Sequence, residues 1–113
     1  MRNVAIGLLV VTTTFGACAT EIIGTQDYLA KAAEHAGEAV DHGKEGHAYA
    51  LSRHAEVALR YAEIAQKDLK GNAHIEKGIQ ELNKAILQGR ADDVVEGTKS
   101  AENAYKHFKA AGR

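Results

Sequence analysis

From Thr25 onward the apolar residues of this chain recur at steps of three, four or seven, in four separate stripes. Leu29, Ala33, Ala36, Val40 and Gly43 form the first, and Leu51, Ala55, Ala58, Leu59, Ala62 and Leu69 the second. Ile75, Ile79, Leu82 and Ile86 form the third, and Val94, Ala101, Ala104, Tyr105 and Phe108 the fourth. Such spacing keeps apolar side chains on one face of a helix and predicts four amphipathic helices. The breaks between stripes are short and carry helix-ending residues: Gly43 to Gly46, Gly71-Asn72, and Gly89 to Asp92. Connections of that length leave consecutive helices antiparallel neighbours, so the expectation is an all-α, up-down-up-down four-helix bundle. The chain of 113 residues has room for one such domain, over residues 25–113. It contains no Pro and no Trp, and Ala is its dominant apolar residue, as suits helices packed closely through small side chains.

The first nineteen residues are of another kind. A short positive start, Met1-Arg2-Asn3, leads into the apolar run Val4 to Val11 and then to the small-residue stretch Phe15-Gly-Ala-Cys-Ala19, the layout of a secretory leader. The run is too short to span a bilayer. Two processing fates are open: cleavage after Ala19, with Ala17-Cys18-Ala19 as the recognition box, or cleavage before Cys18 with lipid attached to the thiol. Only the second ties the protein to a membrane. An exported chain meets an oxidising compartment, yet its single Cys cannot form an internal disulfide. Lys plus Arg number 14 against 15 Asp plus Glu, so no single-sign field draws the chain to nucleic acid or to an anionic membrane.

Moving along the chain by 46 residues lays Ala39 on Ala85, Val40 on Ile86, Gly43 on Gly89, Ser52 on Thr98, Ala55-Glu56 on Ala101-Glu102 and Ala58 on Ala104. The bundle therefore reads as two repeated helical hairpins. Residues equally far from the turn of an antiparallel hairpin lie at the same depth, and the six histidines sort by that rule into three level pairs. His42 stands level with His47 and His35 with His54 in the first hairpin, and His74 with His107 in the second. The first-hairpin histidines also share one flank of their helices, about 100–120° from the apolar stripe.

Two histidines seven apart on one helix are separated by about 10.5 Å along the axis. A metal holds imidazole nitrogens at about 2.0–2.1 Å, so one helix cannot share an ion between them. Packed helix axes lie only about 8–10 Å apart, and each level pair can supply half of a site from two helices. Carboxylates nearby offer the rest: Glu38 one turn before His42, Glu34 and Asp41 flanking the other side, and Glu45 in the turn. Nitrogen and oxygen donors without thiolate suit borderline divalent ions, with Cu(II) at the head of the affinity order and Zn(II) and Ni(II) after it.

A lone exposed histidine is ordinarily solvated, and a carboxylate on a helix is ordinarily a surface charge; what carries the metal reading is that three pairs obey one constraint. Enzymatic chemistry is not expected. A ferritin-like di-iron centre needs Glu-x-x-His on two helices, and none of these histidines has Glu three residues before it. Haem attachment lacks C-x-x-C-H and any Met beyond Met1. The alternative class is a helical interaction or chaperone-like protein of the periplasm whose histidines are incidental.

The run Glu38-Ala-Val-Asp-His-Gly-Lys-Glu-Gly-His47, then His54-Ala-Glu, Gly71-Asn-Ala-His-Ile75, Gly78-Ile79, Ala85-Ile86, and Thr98-Lys99 through His107, resembles the small metal-binding protein family of bacterial periplasms. The likeness spans about Tyr28 to Ala111. It implies a His-rich four-helix bundle that takes up several divalent ions, copper foremost, and buffers or stores them. His35, His42, His47, His54, His74 and His107 match family histidines, whereas Glu81, Gln88 and Asp93 stand where the fuller pattern has His. That departure implies a lower capacity, concentrated in the first hairpin.

Overall fold

A computed structural model describes residues 24–112; the expected leader and Cys18 lie outside the described residues. Four helices run through them: α1 Thr25–Lys44, α2 Ala48–Asp68, α3 Ala73–Arg90 and α4 Val94–Ala111. Consecutive helices pack on one another, α1 closes the ring against α4, and α2 touches α4 across the diagonal. The fold is the all-α antiparallel four-helix bundle that the four stripes predict. No helix among the described residues is long and apolar enough to cross a membrane.

The two hairpin turns repeat the same backbone hydrogen bonds 46 residues apart. His47 N donates to His42 O (2.8 Å) and Gly46 N to Gly43 O (3.0 Å); in the second hairpin Asp93 N donates to Gln88 O (2.8 Å) and Asp92 N to Gly89 O (3.1 Å). This paired pattern is the Schellman motif, which needs a left-handed residue just past the helix end. Gly46 fills that place at φ +82° and Asp92 at φ +63°. Helix starts differ more. Asn72 caps α3 by accepting from His74 N and Ile75 N, and Asp93 caps α4 by accepting from Glu96 N, but His47 holds the same position on α2 with no side-chain cap.

The core is mostly alanine. Ala32, Ala36, Ala39, Ala55, Ala58, Ala62, Ala65, Ala85, Ala101 and Ala104 are fully buried, and they let the helix backbones approach closely. The few large side chains sit where small ones make room. Leu51 lies against Gly43, Gly89 and Gly97 near the hairpin turns, and the Phe108 ring lies against Gly78 towards the other end. A Cβ at Gly78 would fall 2.5 Å from that ring, an overlap the ring must move to relieve. Tyr105, read as part of the fourth stripe, is an edge residue 38% exposed, its ring laid over Gly37 of α1.

Candidate metal centres

The Schellman turn of the first hairpin builds one cluster by itself. The residues four before and one after its left-handed position approach each other in this motif and are commonly apolar; here they are His42 and His47. Their ring centroids are 5.9 Å apart. Glu45, the C-cap between them, sets Oε1 3.5 Å from His42 Nδ1 and 3.3 Å from His47 Nδ1.

Seven residues deeper the pattern recurs with ligands from both helices. Glu38 Oε1 lies 2.8 Å from His35 Nδ1 on its own helix and 3.1 Å from His54 Nδ1 on α2. In each cluster the three ligand atoms lie within 4.8 Å of one another. The carboxylate follows the α1 histidine by three residues both times, His35-x-x-Glu38 and His42-x-x-Glu45. Residues three apart share a helix face, so this spacing is the sequence signal that selects these two acids. Glu34 and Asp41 join neither cluster: Glu34 approaches Lys31 at 3.8 Å, and both border, together with Glu38, a groove between α1 and α4 beside Tyr105.

The polar atoms of the clusters are left wanting a cation. His35 Nδ1, Glu38 Oε1 and His42 Nδ1 are buried without a hydrogen-bond partner, although the first two are 2.8 Å apart, because their angles do not aim an N–H at the carboxylate. Buried acceptors that face one another cost free energy unless a proton or a metal sits among them. The deeper cluster is the drier: the His35 and His54 side chains are 23% and 30% exposed, against 59% for His47.

The third level pair is built differently. His74 and His107 bring Nδ1 to Nδ1 at 3.2 Å, but among the described residues no carboxylate completes a three-ligand group with them. His107 titrates below the ordinary imidazole value because burial penalises its charged form, with His74 and Lys77 adding positive repulsion against the pull of Glu81.

The histidines of the first hairpin also meet in a way the level rule does not give. The closest pair is the staggered one, His42 with His54, at 4.9 Å between centroids and 13° between planes; the level pairs stand at 5.9 Å. The next staggered pair, His35 with Tyr61, is 5.7 Å apart and within 8° of parallel, and Tyr61 continues to Tyr28 at 6.2 Å. The cause is the lean of helical side chains towards their own N-terminus. In antiparallel helices that lean carries His42 away from the turn and His54 towards it, so the two converge. The result is one ladder, alternating between helices, from His47 through His42, His54, His35 and Tyr61 to Tyr28.

The second hairpin keeps the geometry with other groups. The Gln88 side-chain amide lies 2.7 Å from Ser100 Oγ, and with its NH2 turned towards the two carbonyls, which can only accept, it donates to Glu96 O (3.0 Å) and Lys84 O (3.2 Å). Asn103 Nδ2 donates to Glu81 Oε1 (3.4 Å). Gln88 with Ser100 is the same staggered pair as His42 with His54, 46 residues on.

Compared with known proteins, the chain matches a family model described as small metal-binding protein over residues 3–111. No curated protein matches it.

Proposed function

The chain belongs to the small metal-binding protein family, and from that premise we propose that it buffers or stores divalent transition metals, copper foremost, in the periplasm. The observation that carries this reading is the pair of His-Glu-His clusters, His35-Glu38-His54 and His42-Glu45-His47, each with three donor atoms inside 4.8 Å. Two neutral imidazoles and one carboxylate leave a divalent ion with a net charge of +1 and open positions for water. An incomplete shell of this kind holds an ion without locking it in, which suits exchange better than the closed four-ligand shell of a structural zinc site. Donors limited to nitrogen and oxygen place Cu(II) first and Zn(II) and Ni(II) behind it. His74 and His107 offer a further two-donor position. The role read from these clusters is the binding of ions.

Titration of the purified protein with Cu(II), Zn(II) and Ni(II) at pH 7.5, followed by calorimetry and by thermal unfolding, tests this. Copper should bind most tightly and raise the melting temperature, by an amount equivalent to about 2.7 kcal/mol per site at an ion concentration 100 times the dissociation constant. No binding of any of the three would leave the alternative, a helical interaction protein with incidental histidines. Localisation is tested separately by fractionating cells and determining the N-terminus of the chain by mass spectrometry: a start at Thr20 fits simple cleavage, and a lipid on Cys18 the anchored form.

A further inference from the structure

The ladder of rings continues past the metal ligands into a pair of phenols. His35, a ligand of the deeper cluster, lies 5.7 Å from Tyr61 with the two rings within 8° of parallel, and Tyr61 lies 6.2 Å from Tyr28 on the facing helix, separations at which aromatic rings stack. The fold does not require phenols there, since the second hairpin carries His74 and His107 at the same rungs. Phenol is the most easily oxidised side chain on this ladder. The chain has no Trp and its one Met is Met1, which leaves four tyrosines as its electron-rich rings. Among the described residues Tyr49 and Tyr105 stack on no histidine. Resting on the metal-binding reading above, we infer that Tyr61 and Tyr28 are an oxidation site of the copper-loaded protein: with peroxide as the oxidant they give up electrons in place of the ligand histidines and join as a dityrosine crosslink between α1 and α2.

Bound copper supplies one-electron oxidation when peroxide reaches it. Tyr61, stacked on the ligand His35, gives up one electron and its phenolic proton, and Tyr28, stacked on Tyr61, gives up the same. The two phenoxyl radicals join through a C–C bond between ring carbons ortho to the hydroxyls, and the hydrogen on each of those carbons moves to the phenolic oxygen. One peroxide takes up the two electrons and two protons, its O–O bond breaks, and it leaves as two waters. The protein loses two hydrogen atoms and nothing else. Both rings are half-buried and line one open pocket with Asp27, Lys31 and Glu34, where water carries off the protons and the rings have room to turn edge to edge.

The test treats the purified protein, loaded with Cu(II) or with Zn(II), with hydrogen peroxide at pH 7.5, and maps the products by dityrosine fluorescence and by tandem mass spectrometry after proteolysis. With Cu(II) the peptides of Tyr28 and Tyr61 should appear joined and short of two hydrogens, while Tyr49 stays intact although it is 75% exposed. Zn(II), which has no redox chemistry, should give no crosslink. Tyr61→Phe keeps a ring on the ladder without the phenol; it should abolish the crosslink and move oxidation to His35 and His54 as added oxygen, with copper affinity unchanged by calorimetry. Tyr28 and Tyr61 left intact in the copper-loaded protein, Tyr49 modified as fully as Tyr61, or histidine oxidation no greater in Tyr61→Phe than without the substitution overturns the inference and leaves the metal clusters standing. Absence of copper binding in the calorimetric titration overturns the cluster reading and this inference with it.

Discussion

The two hairpins of this bundle share a backbone and differ in chemistry. Their turns carry the same hydrogen bonds and the residues after them nearly the same dihedrals, φ −95° and ψ 82° at His47 against φ −95° and ψ 77° at Asp93. Where the first hairpin has His42, His54 and His47, the second has Gln88, Ser100 and Asp93; where the first has Tyr28 and Tyr61, the second has His74 and His107. The second hairpin satisfies its polar rungs internally, with an amide on a hydroxyl and a carboxylate on a helix end. The first leaves three buried ligand atoms unpartnered and neither of its helices with a side-chain N-cap. Since the same fold forms either way, the histidines are not what the fold requires.

The largest expected effect follows directly. Replacing His35, His42, His47 and His54 together with Ala should remove most of the copper bound per chain, whereas His74→Ala/His107→Ala should remove a minor part, as counted by equilibrium dialysis. Equal losses would erase the contrast between the hairpins. Next in size is a transplant. Glu81→His, Lys84→Glu, Gln88→His, Ala91→Glu, Asp93→His and Ser100→His rebuild both clusters on the second hairpin, and copper capacity should rise by the amount the first hairpin supplies. Failure to gain capacity in a folded variant would mean that something outside these six positions makes the first hairpin bind.

A finer contrast lies within the first hairpin. Glu38→Gln or Glu45→Gln should weaken copper binding at its own cluster about tenfold, near 1.4 kcal/mol, while Glu34→Gln and Asp41→Asn should leave calorimetric titrations almost unchanged. Smaller still is the effect of His47→Asp, which imports the cap of the second hairpin. The metal-free protein should gain about 1 kcal/mol, seen as a melting temperature roughly 4–8 °C higher, while the turn cluster is lost. An unchanged melting temperature would show that His47 is not a concession made to binding.

The smallest effect concerns protons in the metal-free protein. His107 should titrate by NMR at a pH below that of a free peptide imidazole, since burial and then His74 and Lys77 disfavour its charged form. Between its folded and unfolded values the unfolded chain holds more protons, so stability falls slightly as the pH is lowered through that window and is unaffected above it. A midpoint at or above the free value would contradict the arrangement around it.

Much of this molecule was legible before its fold. Stripes at helical spacing, interrupted by Gly43 to Gly46, Gly71-Asn72 and Gly89 to Asp92, determined four helices and their antiparallel order, because periodicity records which face of a helix avoids water and short connections leave only neighbours to pack on. Distance from the turn likewise determined the level pairs, since depth in a hairpin is a matter of counting. What only the tertiary structure decided is how side chains at those depths meet. Counting places Cα atoms; it does not register that leaning side chains on antiparallel helices bring His42 to His54. Nor does it tell which carboxylates meet the histidines, as Glu38 and Glu45 do, and which do not, as with Glu34 and Asp41. That choice rests on the side on which each helix meets its two neighbours, a property of the packed bundle that no single stripe contains.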